Sequence, residues 1–344
     1  LADFWFWNRQ FSLSCICTLT HVSYSFITPS IFDQYSSPDS PVVDEHSLCQ
    51  KLGKDGCLKV LEPHWDNFVQ EADFEKIKDA GFNIIRIPVG YWAFLDVGEG
   101  YTSGQVPYLD RAIGWARNQG LKVIVDLHGA PKSQNGFDHS GQKMGQPQWG
   151  TGDSIYQTHE ALWQIYQKYG NESMQDVVIG IQPLNEPLLM VLDNEMVKQF
   201  YRDAFFTLRE TSDTVMVLHD GFLNPEWMNN FLTTQDNGAQ GVAVDHHEYT
   251  IFNDALTALS VQERQTLTCN TIDNYRNSDK WTIVGEWSGA VTDCAPHLNG
   301  YNQKSRFESQ GVGNCWGKSG MVKYWSQDYK DDIRRLYVPH FQYQ

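Results

Sequence analysis

Two glutamates raise the chemical question. Glu186 closes "GIQPLNEP", where Asn185 and Glu186 stand side by side at the end of an apolar run rich in β-branched residues. Glu286 sits far downstream in "WTIVGEWS". A buried carboxylate is costly unless it is paired or has work to do. Two carboxylates facing each other across a cleft are what cleavage of a glycosidic bond requires: one gives a proton to the leaving oxygen, the other attacks the sugar or activates water. A close negative neighbour is expected to raise the acid's pKa, so that it keeps its proton near working pH. A buried ion pair is the structural alternative for either residue alone. It loses ground because Arg, His, Asn and Tyr gather at the ends of similar runs.

These runs alternate with helical patterns. "HWDNFVQEADFEKIKDAG" (64–81) has helical periodicity and stops at Gly81, where a C-cap belongs. "FNIIRIPVGY" reads as a strand, "YLDRAIGWARNQG" as a helix and "KVIVDLHG" as a strand. Helix 154–170 precedes the strand "VVIGIQPLNEP", helix 194–212 precedes "TVMVLHDG", and the short helix "NPEWMNNFLT" precedes "VAVDHHEY". A largely helical 254–276 leads to "WTIVGEWS". Six strands result, turning polar at Arg86, His128, Asn185–Glu186, His219–Asp220, His246–His247–Tyr249 and Glu286. Strand–helix repeats of this length predict a parallel sheet with helices outside. An open doubly wound sheet usually carries a Gly-rich phosphate turn after its first strand, and none is present. Polar residues at the ends of several strands instead predict an α/β fold of the (β/α)8 TIM-barrel class. The Gly-rich, aromatic stretches 129–153 and 288–326 read as loops on the site's side.

Composition narrows the partners. Formal charge is −16, from 26 Lys+Arg against 42 Asp+Glu, and no basic stretch stands out. Nucleic acid and anionic membrane are therefore excluded as expected partners. Aromatics make up 13% of residues, including 12 Trp, which suits a cleft with stacking platforms. No run reaches the roughly 18 apolar residues of a membrane span. The seven cysteines (15, 17, 49, 57, 269, 294 and 315) form no paired metal-ligand cluster; their odd number suggests a secreted chain with some disulfides and at least one free thiol. Asn171 heads the sequon "NES". The first 30 residues lack a basic n-region and a clean cleavage site and are not read as a signal peptide. A zinc set could be drawn from His128, His246, His247 and Glu186, but no H-E-x-x-H spacing supports it, and no G-x-S-x-G elbow supports a serine hydrolase. No metal and no cofactor are expected.

"RIPVGYWAF", "DLHGAPKSQNGFDHSG", "PLNEP", "DHHEY" and "TIVGEWSGAVTDC" occur in this order. Together they resemble the motifs of the fungal exo-β-1,3-glucanases, in glycoside hydrolase family 5 of the retaining clan with (β/α)8 barrels. The resemblance implies that Glu186 is the acid/base and Glu286 the nucleophile. It places Arg86 near Glu286 to hold it ionised and has Tyr249 donate to the same carboxylate. Asn185 would bind the sugar 2-OH, and His128 and His247 would wall the glucose subsite. Phe137 and Phe252 would clamp the next sugar at the entrance. Trp287 would pack behind the nucleophile, while Asp126, His219, Asp220 and His246 are left structural. Cys294 and Cys315 would pair, leaving Cys269 without its partner. The implied protein is a monomeric enzyme of β-glucan, secreted or wall-associated. Alternatives are a β-1,6-glucanase, a β-glucosidase of aglycone glucosides, a carbohydrate-binding pseudoenzyme and, more remotely, a metal-dependent hydrolase.

The chain departs from that family in three places. "CTLTHVSYSF" precedes "ITPSIF" where a Gly- and Trp-containing first strand with a glucose-binding Glu is usual. After "YKDDIRRL" the chain runs into "YVPHFQYQ", without the last helix, the eighth strand and its Trp. His139 stands where Asn is usual. The expectation is a barrel over 27–335, incomplete because its first and eighth strands are altered or missing, between atypical segments 1–26 and 336–344. Such a barrel would expose sheet edges.

Overall fold

The structure is a computed structural model and describes residues 16–18, 27–98 and 100–343. Cys15 and most of the 1–26 segment lie outside the described residues. Seven strands form one parallel sheet in sequential order: β1 (Ile16–Thr18), β2 (Ile84–Gly90), β3 (Lys122–Gly129), β4 (Val178–Gln182), β5 (Val215–His219), β6 (Val242–Glu248) and β7 (Trp281–Trp287). The six expected strands are all present. The first position is altered rather than empty: three residues of β1 pair in parallel with Ile84–Arg86. No eighth strand occurs among the described residues, so the sheet is an incomplete (β/α)8 barrel.

The helices are α1 (Pro29–Tyr35), α2 (Glu45–Phe68), α3 (Glu71–Asp79), α4 (Val106–Asn118), α5 (Ser154–Tyr169), α6 (Asn194–Arg209), α7 (Asp254–Thr257), α8 (Val261–Arg276), α9 (Arg306–Ser309) and α10 (Gln327–Tyr343). The pattern over 64–81 expected one helix, whereas the chain makes the end of α2 and a separate α3. Val69 and Gln70 are extended, and Gln70 and Asp73 form a capping box that starts α3 afresh. "NPEWMNNFLT" yields only a 3₁₀ turn, Pro225–Met228. Side-chain caps fix other starts: Asp193 accepts from Glu195 and Met196 N–H, and Ser260 boxes with Glu263. Helix α2 bends at Gly53, whose φ of 70° suits glycine, and the Cys49–Cys57 disulfide spans the bend. That pairing is not legible in the sequence. Cys294–Cys315 is present and Cys269 is free and exposed. No helix among the described residues is long and apolar enough to cross a membrane.

Strand alternation decides what faces inward. Ile85, Val123, Val125, Ile181, Met216 and Leu218 point out and are buried under Phe74, Ile113, Leu162, Tyr166, Phe200 and Leu208 of the helices. The inward positions form layers. Ile84, Ile124 and Val217, packed against Ile283, close the N-terminal end with apolar side chains. Arg86, Asp126, Gln182 and Asp245 form a fully buried polar layer above them. The next inward positions, at the C-terminal ends, hold His128, His247 and Glu286. A sheet so layered rests on apolar packing below and delivers polar groups to one face.

Candidate active site

Glu286 reaches that face through a local irregularity. Asp245 pairs with Ile283 and His246 with Val284, but His247 pairs with Glu286, so Gly285 is an extra residue in β7. Without this bulge the period-2 alternation would turn Glu286 to the outer face, with Val284. Only glycine fits there: a Cβ on Gly285 would lie 2.3 Å from Asp245 Oδ2, and the Gly285 N–H donates to Asp245 Oδ1 at 2.6 Å.

Three groups converge on Glu286. Arg86 Nη1 donates to its Oε1 at 2.8 Å, Tyr249 Oη donates to Oε2 at 3.0 Å, and His247 Nδ1 lies 3.6 Å from Oε2. Burial works to raise this carboxyl, but the charges of His247 and Arg86, with those of His128 and His139, hold it far below the usual carboxylate range. Arg86 is itself fully buried. Its Nε donates to Gln182 Oε1 at 2.7 Å, and its Nη2 donates to Asn185 Oδ1 at 2.6 Å and lies 3.0 Å from Asp126 Oδ2. A buried guanidinium tolerates desolvation only with such partners.

Glu186 comes from the loop after β4 with φ of 43°, a left-handed backbone that costs a non-glycine residue of order 1–3 kcal/mol and recurs at functional sites. The preceding residue, Asn185, is fastened by its N–H to Leu127 O at 3.0 Å and by its carbonyl, which accepts from Gln134 Nε2 at 2.8 Å. Its Oδ1 being taken by Arg86, Asn185 has its Nδ2 left to donate, 3.5 Å from His128 Nε2. Glu186 Oε1 lies 2.6 Å from His247 Nδ1, and Oε2 lies 3.3 Å from His139 Nε2. Because His247 Nδ1 contacts both glutamates, their nearest oxygens are no farther apart than the sum of its two distances. The second carboxylate pushes the acid's pKa up as expected, but the net rise that would keep Glu186 protonated near working pH is not met. Burial and Glu286 push Glu186 up, but the His247 hydrogen bond and the charges of His139 and His247 outweigh them, and the carboxyl is lowered.

The remaining expected residues fall as follows. His128 Nδ1 contacts Asp126 Oδ2 at 2.7 Å, turning Nε2 toward Asn185. Phe137 and Phe252 are 42% and 43% exposed, open enough to offer ring faces. Phe137 lies 5.4 Å from His139 on the Glu186 side, and Phe252 lies 5.1 Å from Tyr249 on the Glu286 side. Trp287 pairs with Glu248 in the β6–β7 ladder. Asp126, set aside as structural, touches both Arg86 and His128. Sequence reasoning missed Asp245, Gln182 and Gln134. Asp245 accepts from Gln182 Nε2 at 2.9 Å and faces His247 Nε2 at 3.2 Å. Its signal was available, since Asp245 lies two residues before His247 and so shares its face, as Asp126 does with His128.

The zinc set drawn from sequence does not assemble. His246 turns away to Asp220, at 2.5 Å, and Glu248. The ligand-type atoms that do cluster are those of Glu186, His219 and His247, within 4.8 Å of one another. His219 Nδ1 accepts the Gly221 N–H at 2.9 Å, so its own proton sits on Nε2, and both nitrogens of His247 face carboxylates. This donor set does not offer a metal three lone pairs.

The family model for cellulase (glycosyl hydrolase family 5) matches residues 49–316. A glucan 1,3-beta-glucosidase of Candida oleophila is 41% identical over 325 residues, 90% of this chain and 76% of that protein. One from Schwanniomyces occidentalis is 42% identical, over 90% and 74%. Among solved structures, AoRut superposes with a TM-score of 0.70 at 19% identity, covering 94% of this chain and 83% of that one. A rutinosidase from Aspergillus niger gives 0.61 at 15%, covering 85% and 95%, and these two likenesses speak for the fold. The chain therefore belongs to glycoside hydrolase family 5 and is a glycosidase.

Proposed function

We propose that the chain is a retaining exo-β-glucosidase that releases glucose from β-1,3-glucan by double displacement. Glu286 attacks the anomeric carbon, and Glu186 first protonates the leaving oxygen and then deprotonates the incoming water. The observation that carries this reading is the asymmetry of the pair. Arg86 and Tyr249 donate to Glu286 and keep it an anion, as a nucleophile needs, while neither donates to Glu186. Glu186 shares a proton with His247 at 2.6 Å separation, and the acid role requires that proton to pass to the carboxyl as the leaving oxygen departs. Asn185 Nδ2 suits the 2-OH contact that strengthens in the oxocarbenium-like transition state. The names of the relatives support β-1,3-glucan and exo action, and two disulfides support a secreted or wall-associated enzyme.

The test is hydrolysis of laminarin followed by NMR of the first anomer released, expected to be β. Glu286→Gln should abolish turnover. Glu186→Ala should spare activated aryl glucosides and, with azide, yield a β-glucosyl azide. An α first product, or near-normal rates in Glu286→Gln, refutes the reading. β7 has a hydrogen-bonded neighbour only in β6 among the described residues, and most of its residues are half-exposed. This favours a binding-only protein as the second reading, which measurable laminarin turnover would exclude.

A further inference from the structure

The two oxygens of Glu186 are held by different histidines. His247 takes Oε1 and is itself anchored by Asp245. His139 takes Oε2 at 3.3 Å, and its other ring nitrogen, Nδ1, is buried without a partner. At that distance the ring faces Glu186 as an ion-pair partner, which acts on the carboxylate when the imidazole carries its charge. The imidazole is carried on a fixed turn, Asp138–Ser140, whose His139 N–H donates to Asp138 Oδ1 at 2.9 Å. The ring lies 5.4 Å from both His128 and Phe137. An Asn here, as in the family the motifs resemble, could donate one neutral hydrogen bond but could not carry charge.

We propose that His139 is a positioning residue for Glu186: it faces, at ion-pair distance, the oxygen that His247 leaves free. The inference rests on Glu186 being the acid/base. Its consequence is a division of labour between the two half-reactions. The His139 charge helps the step in which Glu186 acts as a base and restrains the step in which it gives up a proton. The other groups facing Glu186 are Arg86 from β2, His219 from β5, His247 from β6, Tyr249 just beyond it and Glu286 from β7. His139 faces His128 from β3, Asp138 in its own turn and, beyond Glu186, Glu286 from β7. Burial is the largest influence on Glu186 and raises it; the His247 hydrogen bond and then the His139 charge lower it.

His139→Asn and His139→Ala test this, compared with the unaltered chain in pH profiles of kcat/KM on laminarin and of kcat on an aryl β-glucoside with a good leaving group. The alkaline limb on laminarin is expected to rise by about one pH unit in both variants, the effect of removing a cation from a carboxylate. Asn should restore the melting temperature but not the limb. On the aryl substrate, where deglycosylation limits, kcat should fall several-fold. A limb that stays at its original pH in both variants, or an equal loss at every pH on both substrates, overturns the proposal. Azide rescue of Glu186→Ala reads the underlying assignment separately. Rescue with an unmoved limb sinks the His139 proposal alone; no rescue sinks both.

Discussion

Glu45 offers a prediction whose size follows from its surroundings. It opens helix α2 as a buried carboxyl whose Oε1 accepts from Trp92 Nε1 at 2.9 Å and from Gln105 Nε2 at 3.4 Å. Trp92 in turn stacks on Tyr101 at 4.4 Å, so the carboxyl sits under an aromatic pair. Burial pushes its pKa up to about 8 from 4.5, the Trp92 hydrogen bond opposing and the Asp44 charge adding to the rise. A carboxyl raised in the folded state binds a proton on folding. Its stabilising share is therefore complete below the unfolded value of 4.5, is lost progressively as pH rises toward about 8, and stays lost above. At pH 7 the gap to the unfolded value corresponds to about 3 kcal/mol, at roughly 1.36 kcal/mol per unit. Glu45→Gln keeps an oxygen for Trp92 and removes the titration. Urea unfolding between pH 4 and 8.5 should show the variant equal to the original chain near pH 4 and more stable by about 3 kcal/mol at pH 7. Parallel stability curves over the whole range would refute the reasoning.

Gly285→Ala should force Asp245 out of its place, because the new methyl would meet its carboxylate, and laminarin turnover should fall at least 100-fold by rough estimate; unchanged kcat/KM would show that the bulge does not aim Glu286. Tyr249→Phe removes an O–H donor to Glu286 of roughly 1.5–3 kcal/mol, so kcat should drop about 10-fold or more. The acidic limb of its pH profile should move upward, since Glu286 then protonates more easily; a fixed limb would count against the nucleophile role. Replacing Cys294 and Cys315 by Ser opens a loop of sequence separation 21 and should cost about 3 kcal/mol in urea unfolding, with no cost meaning that the loop is already ordered without the bond.

Much of this protein is written in local pattern. The six β-branched runs and the helices between them are short-range signals, and all six strands form. Their polar ends point to one face because a parallel sheet orders every strand in the same direction, so Arg86, His128, Asn185, Glu186, His247, Tyr249 and Glu286 could be named as candidates before any contact was seen. The loop after β7 closes through Cys294–Cys315, as the resemblance implied.

Other features depend on registers that no single segment encodes. The orientation of Glu286 follows from an extra residue in β7 relative to β6, and simple alternation along "WTIVGEWS" would have turned it outward. Asp245 and Gln182 are ordinary inward residues until the sheet brings them to Arg86. Cys49 and Cys57 meet because Gly53 bends a helix that would otherwise hold them apart. The proton balance at Glu186 is set by His247 and His139, which approach from different strands and loops, so the sequence named the carboxylate but misjudged the direction of its shift. Alternation and composition are properties of a segment, and the sequence determines them. Register, bulges and electrostatic neighbours are properties of pairs distant in the chain, and only the tertiary structure decides them.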